Sequence, residues 1–147
     1  MSDCKHLESV LHNEIPLTRA MEISVSSCSA NRLELCAPLA PNLNHKRTAF
    51  GGSLYSIAVL CGWGFVFQQM HLNQLSGHIV IQHSEVDYLL PVAGEIRACC
   101  EFNDTDTLKR FIKTIQRKGQ ARIKLPVKIL FDGKDAVKFL GHYVVHQ

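Results

Sequence analysis

Phe50-Gly51-Gly52-Ser53-Leu54-Tyr55-Ser56-Ile57-Ala58-Val59-Leu60-Cys61-Gly62-Trp63-Gly64-Phe65-Val66-Phe67 carries no charge, and its apolar residues fall on every side of a helical wheel. A helix that is apolar all round has to be enclosed, by protein or by lipid. Spanning a bilayer takes roughly 20 apolar residues in a row. Gly62, Gly64, two serines and the Gln68-Gln69 pair at the end of the run argue against lipid. The stretch therefore reads as a buried helix over about residues 52–71, and the rest of the chain as its wrapping.

The chain is long enough, at 147 residues, for one domain with a single core, taken here as residues 1–147. Residues 4–17 read as a short amphipathic helix, with Leu7, Val10, Leu11 and Ile15 on one face and Pro16 near its end. Met21-Glu22-Ile23-Ser24-Val25-Ser26 alternates with period two, and Arg32 to Ala37 returns after a short turn as the second strand of a hairpin. Beyond the central helix, the run from Gly77 to Leu90 shifts its apolar phase from odd positions (Ile79, Ile81) to even ones (Val86, Tyr88, Leu90), as a bulge or strong twist would require. Strands follow at Glu95–Asn103, Ala121–Phe131 and Ala136–Val145. Pro126, on the outward phase of the fifth strand, predicts an edge position or a bulge. Asp104 to Thr107 supplies capping residues for a helix over about 107–118. Two strands, one helix and four strands do not alternate as a doubly wound sheet does. The predicted class is α+β: an antiparallel curved sheet of about six strands around one long buried helix.

Between Thr107 and Phe131 there are eight Lys or Arg and no acid: Lys109, Arg110, Lys113, Arg117, Lys118, Arg122, Lys124 and Lys128. A one-sided basic face of this kind favours a phosphorylated or acidic partner, with a merely solvated face as the alternative. Aromatic residues do not interleave it, which argues against a nucleic-acid stacking platform. The six cysteines show no C-x-x-C spacing and read as reduced structural thiols. His142 and His146 sit in a strand, where their spacing makes no metal clamp, so no metal is expected. The N-terminus lacks a basic segment followed by an apolar run, so the expected location is the cytoplasm, with no membrane partner.

Two motifs carry a family resemblance. Asn44-His45-Lys46-Arg47-Thr48-Ala49-Phe50-Gly51-Gly52 is similar to the Asn-x-x-Gly-x-x-His-Gly-Gly lead-in of small acyl-CoA thioesterases, with Arg47 in place of the Gly and Phe50 in place of the His. Tyr88-Leu89-Leu90-Pro91-Val92-Ala93-Gly94 is similar to their Tyr-Leu-Arg-Pro-x-x-Gly bend. The run Thr48 to Ser56, with the Gly-Trp-Gly at 62–64, resembles the thioesterase-like C-terminal domain of YiiD-type bacterial proteins. The resemblance implies the hotdog fold, a homodimer or dimer of dimers, and an acyl-thioester substrate of fatty-acid type on coenzyme A or acyl carrier protein. It implies no cofactor beyond the coenzyme A or phosphopantetheine of that substrate. It also implies an activity, hydrolysis of the thioester, with a non-catalytic acyl-thioester binding or regulatory domain as the alternative. Acetyl transfer belongs to the other half of the YiiD-type proteins and is not expected here.

The expected binding residues are Phe50, Gly51 and Gly52 at the start of the helix, where free N–H groups and the helix dipole can polarise a carbonyl. Val59 and Trp63 lie along the same face, and Lys46 and Arg47 flank the mouth for coenzyme A phosphates or an acidic carrier. The family's helix carboxylate falls on Val59, which can neither attack nor take a proton. Replacement candidates are Asn44, able to orient water or simply to make an Asx-turn; Tyr55, donor or packing residue; and Ser56, nucleophile or helix back-bonder. His83, Glu85 and Asp87 share one phase of the third strand; the resemblance implies that this strand pairs across a dimer, where one of them, facing the partner's helix, is a candidate for the base. His45 is a looser one.

Overall fold

The computed structural model describes residues 2–147. Helix α1 (Asp3–Glu14) is capped by Ser2, and a four-residue helix α2 (Leu17–Ala20) follows Pro16. Proline breaks the predicted first helix into these two pieces because it has no N–H to donate. Strands β1 (Ser24–Ser29) and β2 (Arg32–Ala37) form the hairpin, then come α3 (Gly51–Leu72), β3 (His78–Tyr88), β4 (Ile96–Glu101), α4 (Thr105–Lys118), β5 (Gln120–Phe131) and β6 (Lys134–His146). The β5–β6 turn uses Asp132 and Gly133, both at positive φ (52° and 73°), the geometry of a tight two-residue hairpin.

All six strands form one antiparallel sheet in the order β1-β2-β4-β5-β6-β3, with α3 lying across its inner face. This is the hotdog arrangement, an α+β fold. Among the described residues no helix is long and apolar enough to cross a membrane. The helix is instead closed in by β2, β4, β5 and β6, with Ile57, Ala58, Cys61 and Phe65 fully buried. Side chains the size of Ile57 and Phe65 each contribute about 1.5–3 kcal/mol on leaving water.

The glycines inside α3 exist for contact, not for bending. A Cβ on Gly62 would lie 2.6 Å from Cε2 of Tyr143 on β6, and the phenol oxygen would be nearer still. That buried phenol donates to the Val59 carbonyl at 2.7 Å, tying β6 to the middle of the helix. Burial pushes the Tyr143 phenol far above its ordinary pKa, so it stays a donor. A Cβ on Gly64 would meet Leu33 of β2 at 2.8 Å.

The phase shift in β3 is a bulge. Ile81 pairs with Tyr143 and His83 with His142, leaving Gln82 as the extra residue. Pro126 is not at a bulge, but β5, although interior to the sheet, is locally an edge there because it is paired on the β6 side only. It lies opposite Leu140 in the continuous β5–β6 ladder, while the β4 ladder ends at Lys128, two residues away, where a missing donor is tolerated.

The two sheet edges differ. At the β1 edge, α1 covers the strand: Glu8 Oε1 accepts the Val25 N–H at 2.8 Å and the His12 ring nitrogen bonds the Ile23 carbonyl at 2.7 Å. Cys4 of α1 and Cys28 of β1 are joined by a disulfide, where the sequence pointed to reduced thiols. The remaining cysteines, Cys36, Cys61, Cys99 and Cys100, are free. The β3 edge, 11 residues long, carries no such cover among the described residues.

Candidate functional site

The loop before α3 is built around Asn44. Its side-chain oxygen accepts the N–H groups of Lys46 (2.8 Å) and Thr48 (3.0 Å), and its amide donates to Thr48 Oγ1 (2.8 Å). This is the Asx-turn role, and it leaves the amide engaged within the loop. The turn forces Arg47 to φ 64°, the left-handed region. The Gly of the related motif fits there without strain, whereas a residue with a Cβ costs about 1 kcal/mol or more. Lys46 and Arg47 point into solvent beside the start of α3, as does His45.

Phe50 occupies the N-cap position of α3 and offers no capping oxygen. The N–H groups of Gly51, Gly52 and Ser53 therefore open the helix without a side-chain acceptor, at the positive end of its dipole. The Phe50 ring folds over Gly52, where a Cβ would lie 2.9 Å from Cζ, so Gly is needed for the ring to rest there. Tyr88, at the end of β3, donates its phenol to the Gly51 carbonyl at 3.1 Å. Burial, and then the neighbouring Tyr55 phenol, push the Tyr88 pKa above its usual value, further from ionisation.

Tyr55, one turn into the helix, packs edge-on against Phe139 (5.8 Å between centroids) and has its phenol oxygen 2.5 Å from Ser84 Oγ. After the Gln82 bulge, Ser84, Val86 and Tyr88 face inward, so β3 delivers two hydroxyls to the start of the helix. Ser84 was not a candidate from the sequence. The bulge was the available signal, because it moves even-numbered residues to the inner face. Ser56 donates to the Gly52 carbonyl at 2.8 Å, bonding its own helix. Val59 and Trp63 continue the face towards β3, where the Trp63 indole donates to the Ile79 carbonyl at 3.0 Å and its ring stacks on Phe67.

His83 and Glu85 lie on the outer face of the sheet, away from this group. The His83 ring sits 4.8 Å from that of His142, and its Nε2 is 3.9 Å from Glu85 Oε1. Asp87 lies opposite Lys138 on the same outer side. The bulge that turns Ser84 inward turns these residues outward. Within one chain they cannot reach the helix start.

A shallow cleft of about 270 Å³ runs along the helix start, lined by Asn44, Thr48, Gly51, Leu54, Tyr88 and Leu90 among others. No carboxylate lines it. Its surroundings are unusually apolar for a surface: Phe50, Tyr88 and Leu89 are each about half exposed (55%, 52% and 50%), and Leu43 and Leu90 are at 38%. Hydrogen-bond donors for a carbonyl oxygen, two hydroxyl side chains and an apolar rim are what the arrangement offers. A built-in anionic nucleophile or base is not present within one chain.

Solved structures share this architecture over nearly the whole chain. A protein of unknown function from Chlorobaculum tepidum TLS is 35% identical, covering 98% of this chain and 94% of that one, with a TM-score of 0.94. A thioesterase, named as putative, from Shewanella oneidensis is 34% identical, covering 99% and 98%, with a TM-score of 0.91. The phenylacetic acid degradation protein PaaI of Thermus thermophilus shares the fold at 19% identity, covering 90% of this chain and 99% of that one, with a TM-score of 0.64. Residues 4–147 match the family described as "Putative thioesterase (yiiD_Cterm)", and the chain belongs to that family.

Proposed function

We propose that the protein binds an acyl thioester, carried on coenzyme A or an acyl carrier protein, with its carbonyl oxygen at the Gly51 and Gly52 N–H groups, and hydrolyses it. The observation that carries this reading is the uncapped start of α3 beneath an apolar rim. Two unpartnered N–H donors there would stabilise the oxyanion formed when water adds to the carbonyl carbon, each worth about 3 kcal/mol in such a site. The C–S bond then breaks, giving a carboxylic acid and a free thiol. In this reading the hydrogen-bonded Tyr55–Ser84 hydroxyls hold the attacking water, and the proton that the water loses ends on the leaving sulfur. Lys46 and Arg47, beside the mouth, suit the phosphates or acidic surface of the carrier. A pocket that binds without turnover is the second reading, favoured by Val59 at the position of the family's carboxylate.

Hydrolysis of an acyl-CoA chain-length panel, followed by thiol release, separates the two. Tyr55→Phe and Ser84→Ala are expected to lower kcat by about 10²-fold, in the range of a lost acid–base contact, with KM little changed. Saturable binding by calorimetry with no turnover above background would reject the hydrolase and leave the binding domain.

The same site is the basis for proposing a homodimer. The uncovered β3 edge offers a row of backbone groups for another strand, and the exposed rim of Phe50, Tyr88, Leu89 and Leu90 adjoins it. A second copy added at this edge would cover both. Sedimentation velocity should read a dimer that survives dilution; a monomer at micromolar concentration would remove the dimer from the proposal.

A further inference from the structure

The basic run of the sequence is not one surface. Arg122, Lys124 and Lys128 project from the outer face of β5, while Lys109, Arg110, Lys113, Arg117 and Lys118 line the solvent side of α4. On α4, Leu108, Phe111, Ile112 and Ile115 are buried in the core, and all five cations are exposed. Among the described residues none of the five forms an ion pair. Lys109, Lys113 and Arg117 stand one above the next, about 6 Å apart along the axis at 1.5 Å per residue.

Beside this stripe, α4 and the C-terminal end of α3 enclose a groove of about 290 Å³. Leu108 and Ile112 form its apolar floor, Gln69, Asn73 and Gln116 its amide rim, and Lys109 and Lys113 its flank. The groove lies at the far end of the 22-residue α3 from Gly51, a helix length of roughly 33 Å at 1.5 Å per residue, so it is separate from the cleft described above.

We infer that α4 and this groove form a docking surface for an acidic amphipathic helix of another protein, with carboxylates on the lysine stripe and one apolar side chain in the groove. Charge complementarity sets the sign of the partner. The spacing of the stripe matches carboxylates four residues apart on a facing helix, and the apolar floor takes the anchor that helix-in-groove recognition uses. A phosphodiester chain would use the cations but not the floor, and α4 exposes no aromatic side chain on which bases could stack. A lipid surface would need exposed large apolar residues to insert, and α4 has none.

The test is fluorescence anisotropy with a labelled synthetic helical peptide bearing glutamates four residues apart around a single leucine. Oligothymidine and mixed phosphatidylcholine–phosphatidylserine vesicles serve as competing probes. The protein should bind the peptide saturably and more tightly than either probe, with affinity falling as salt rises. Lys109→Glu/Lys113→Glu should weaken binding at least about tenfold, the scale of removing two close charge contacts. Gln116→Trp, which fills the groove without changing charge, should also weaken it several-fold, as should replacing the peptide's leucine by alanine. Circular dichroism checks that each variant is folded. Absence of peptide binding would overturn the inference. Tighter binding of oligothymidine or vesicles would do the same, and so would indifference to both groove changes.

Discussion

Gly62→Ala is expected to destabilise the protein by about 4 kcal/mol, the sum of an overpacking cost of about 1–3 kcal/mol and a displaced buried hydrogen bond of about 1–3 kcal/mol. One added methyl has this effect because the Tyr143 ring already occupies the space. Tyr143 is fully buried, its oxygen is 2.7 Å from the Val59 carbonyl, and its strand is held on both sides by long ladders to β5 and β3. The ring cannot swing into solvent, so β6 is pushed off the helix and the phenol gives up its acceptor as well. At roughly 2–4 °C per kcal/mol for a domain of this size, the thermal midpoint should fall on the order of 10 °C. Tyr143→Phe should cost only about 1 kcal/mol, the usual net value of a single hydrogen bond. Chemical denaturation of the two variants gives both numbers. A loss below about 1 kcal/mol for Gly62→Ala would mean that the ring relocates freely and that the α3–β6 contact does not hold the fold in the way described.

The contact between Gly62 and Tyr143 also marks how far the sequence could be read. An uncharged run, apolar all round, already requires a buried helix, and the period-two runs around it require strands. The order of those elements, together with the Gly-Gly and the Tyr-Leu-Leu-Pro bend, was enough for the hotdog architecture. The reversal of phase near Gln82 was legible as a bulge. The inward phase of the even positions was legible with it; that this face meets the helix start and brings Ser84 to Tyr55 was not, because it depends on where the strand lies beside α3. Asn44 is a similar case. A loop asparagine can orient water or close a turn, and here the turn wins: Lys46 and Thr48 N–H groups occupy its oxygen while its NH2 donates to Thr48 and to the Ala49 carbonyl. The cations from Lys109 to Lys128 looked continuous because they are continuous in the chain. Gly119, at φ 72°, ends α4 and sends the next residues into the sheet, which divides the charges between two surfaces.

Cys4 and Cys28 were the least legible pair, since nothing in a separation of 24 residues brings them together until α1 lies across β1. Their disulfide leads to the second large effect. Closing a loop of that length restricts the unfolded chain by an entropy equivalent to about 3 kcal/mol. The native contacts of α1 do not depend on it: Leu7 and Leu11 remain buried, and Glu8 and His12 keep their bonds to β1. Reduction should therefore leave the fold and the cleft at Gly51 intact while lowering the unfolding free energy by about 3 kcal/mol. Cys4→Ser/Cys28→Ser should reproduce the reduced protein and be indifferent to dithiothreitol. Alkylation of the denatured chain supplies an independent count: four labelled cysteines without reductant, corresponding to Cys36, Cys61, Cys99 and Cys100, and six with it. Equal stability with and without reductant, in a chain shown by that count to hold the bond, would mean that α1 and β1 stay together in the unfolded ensemble, so that the link restricts nothing. The size of the difference matters for where the protein works. A reducing compartment keeps such thiols open. There α1 would be held without the covalent link, by its packing and by the bonds from Glu8 and His12, and the β1 edge that it covers would open more readily than in the oxidised protein.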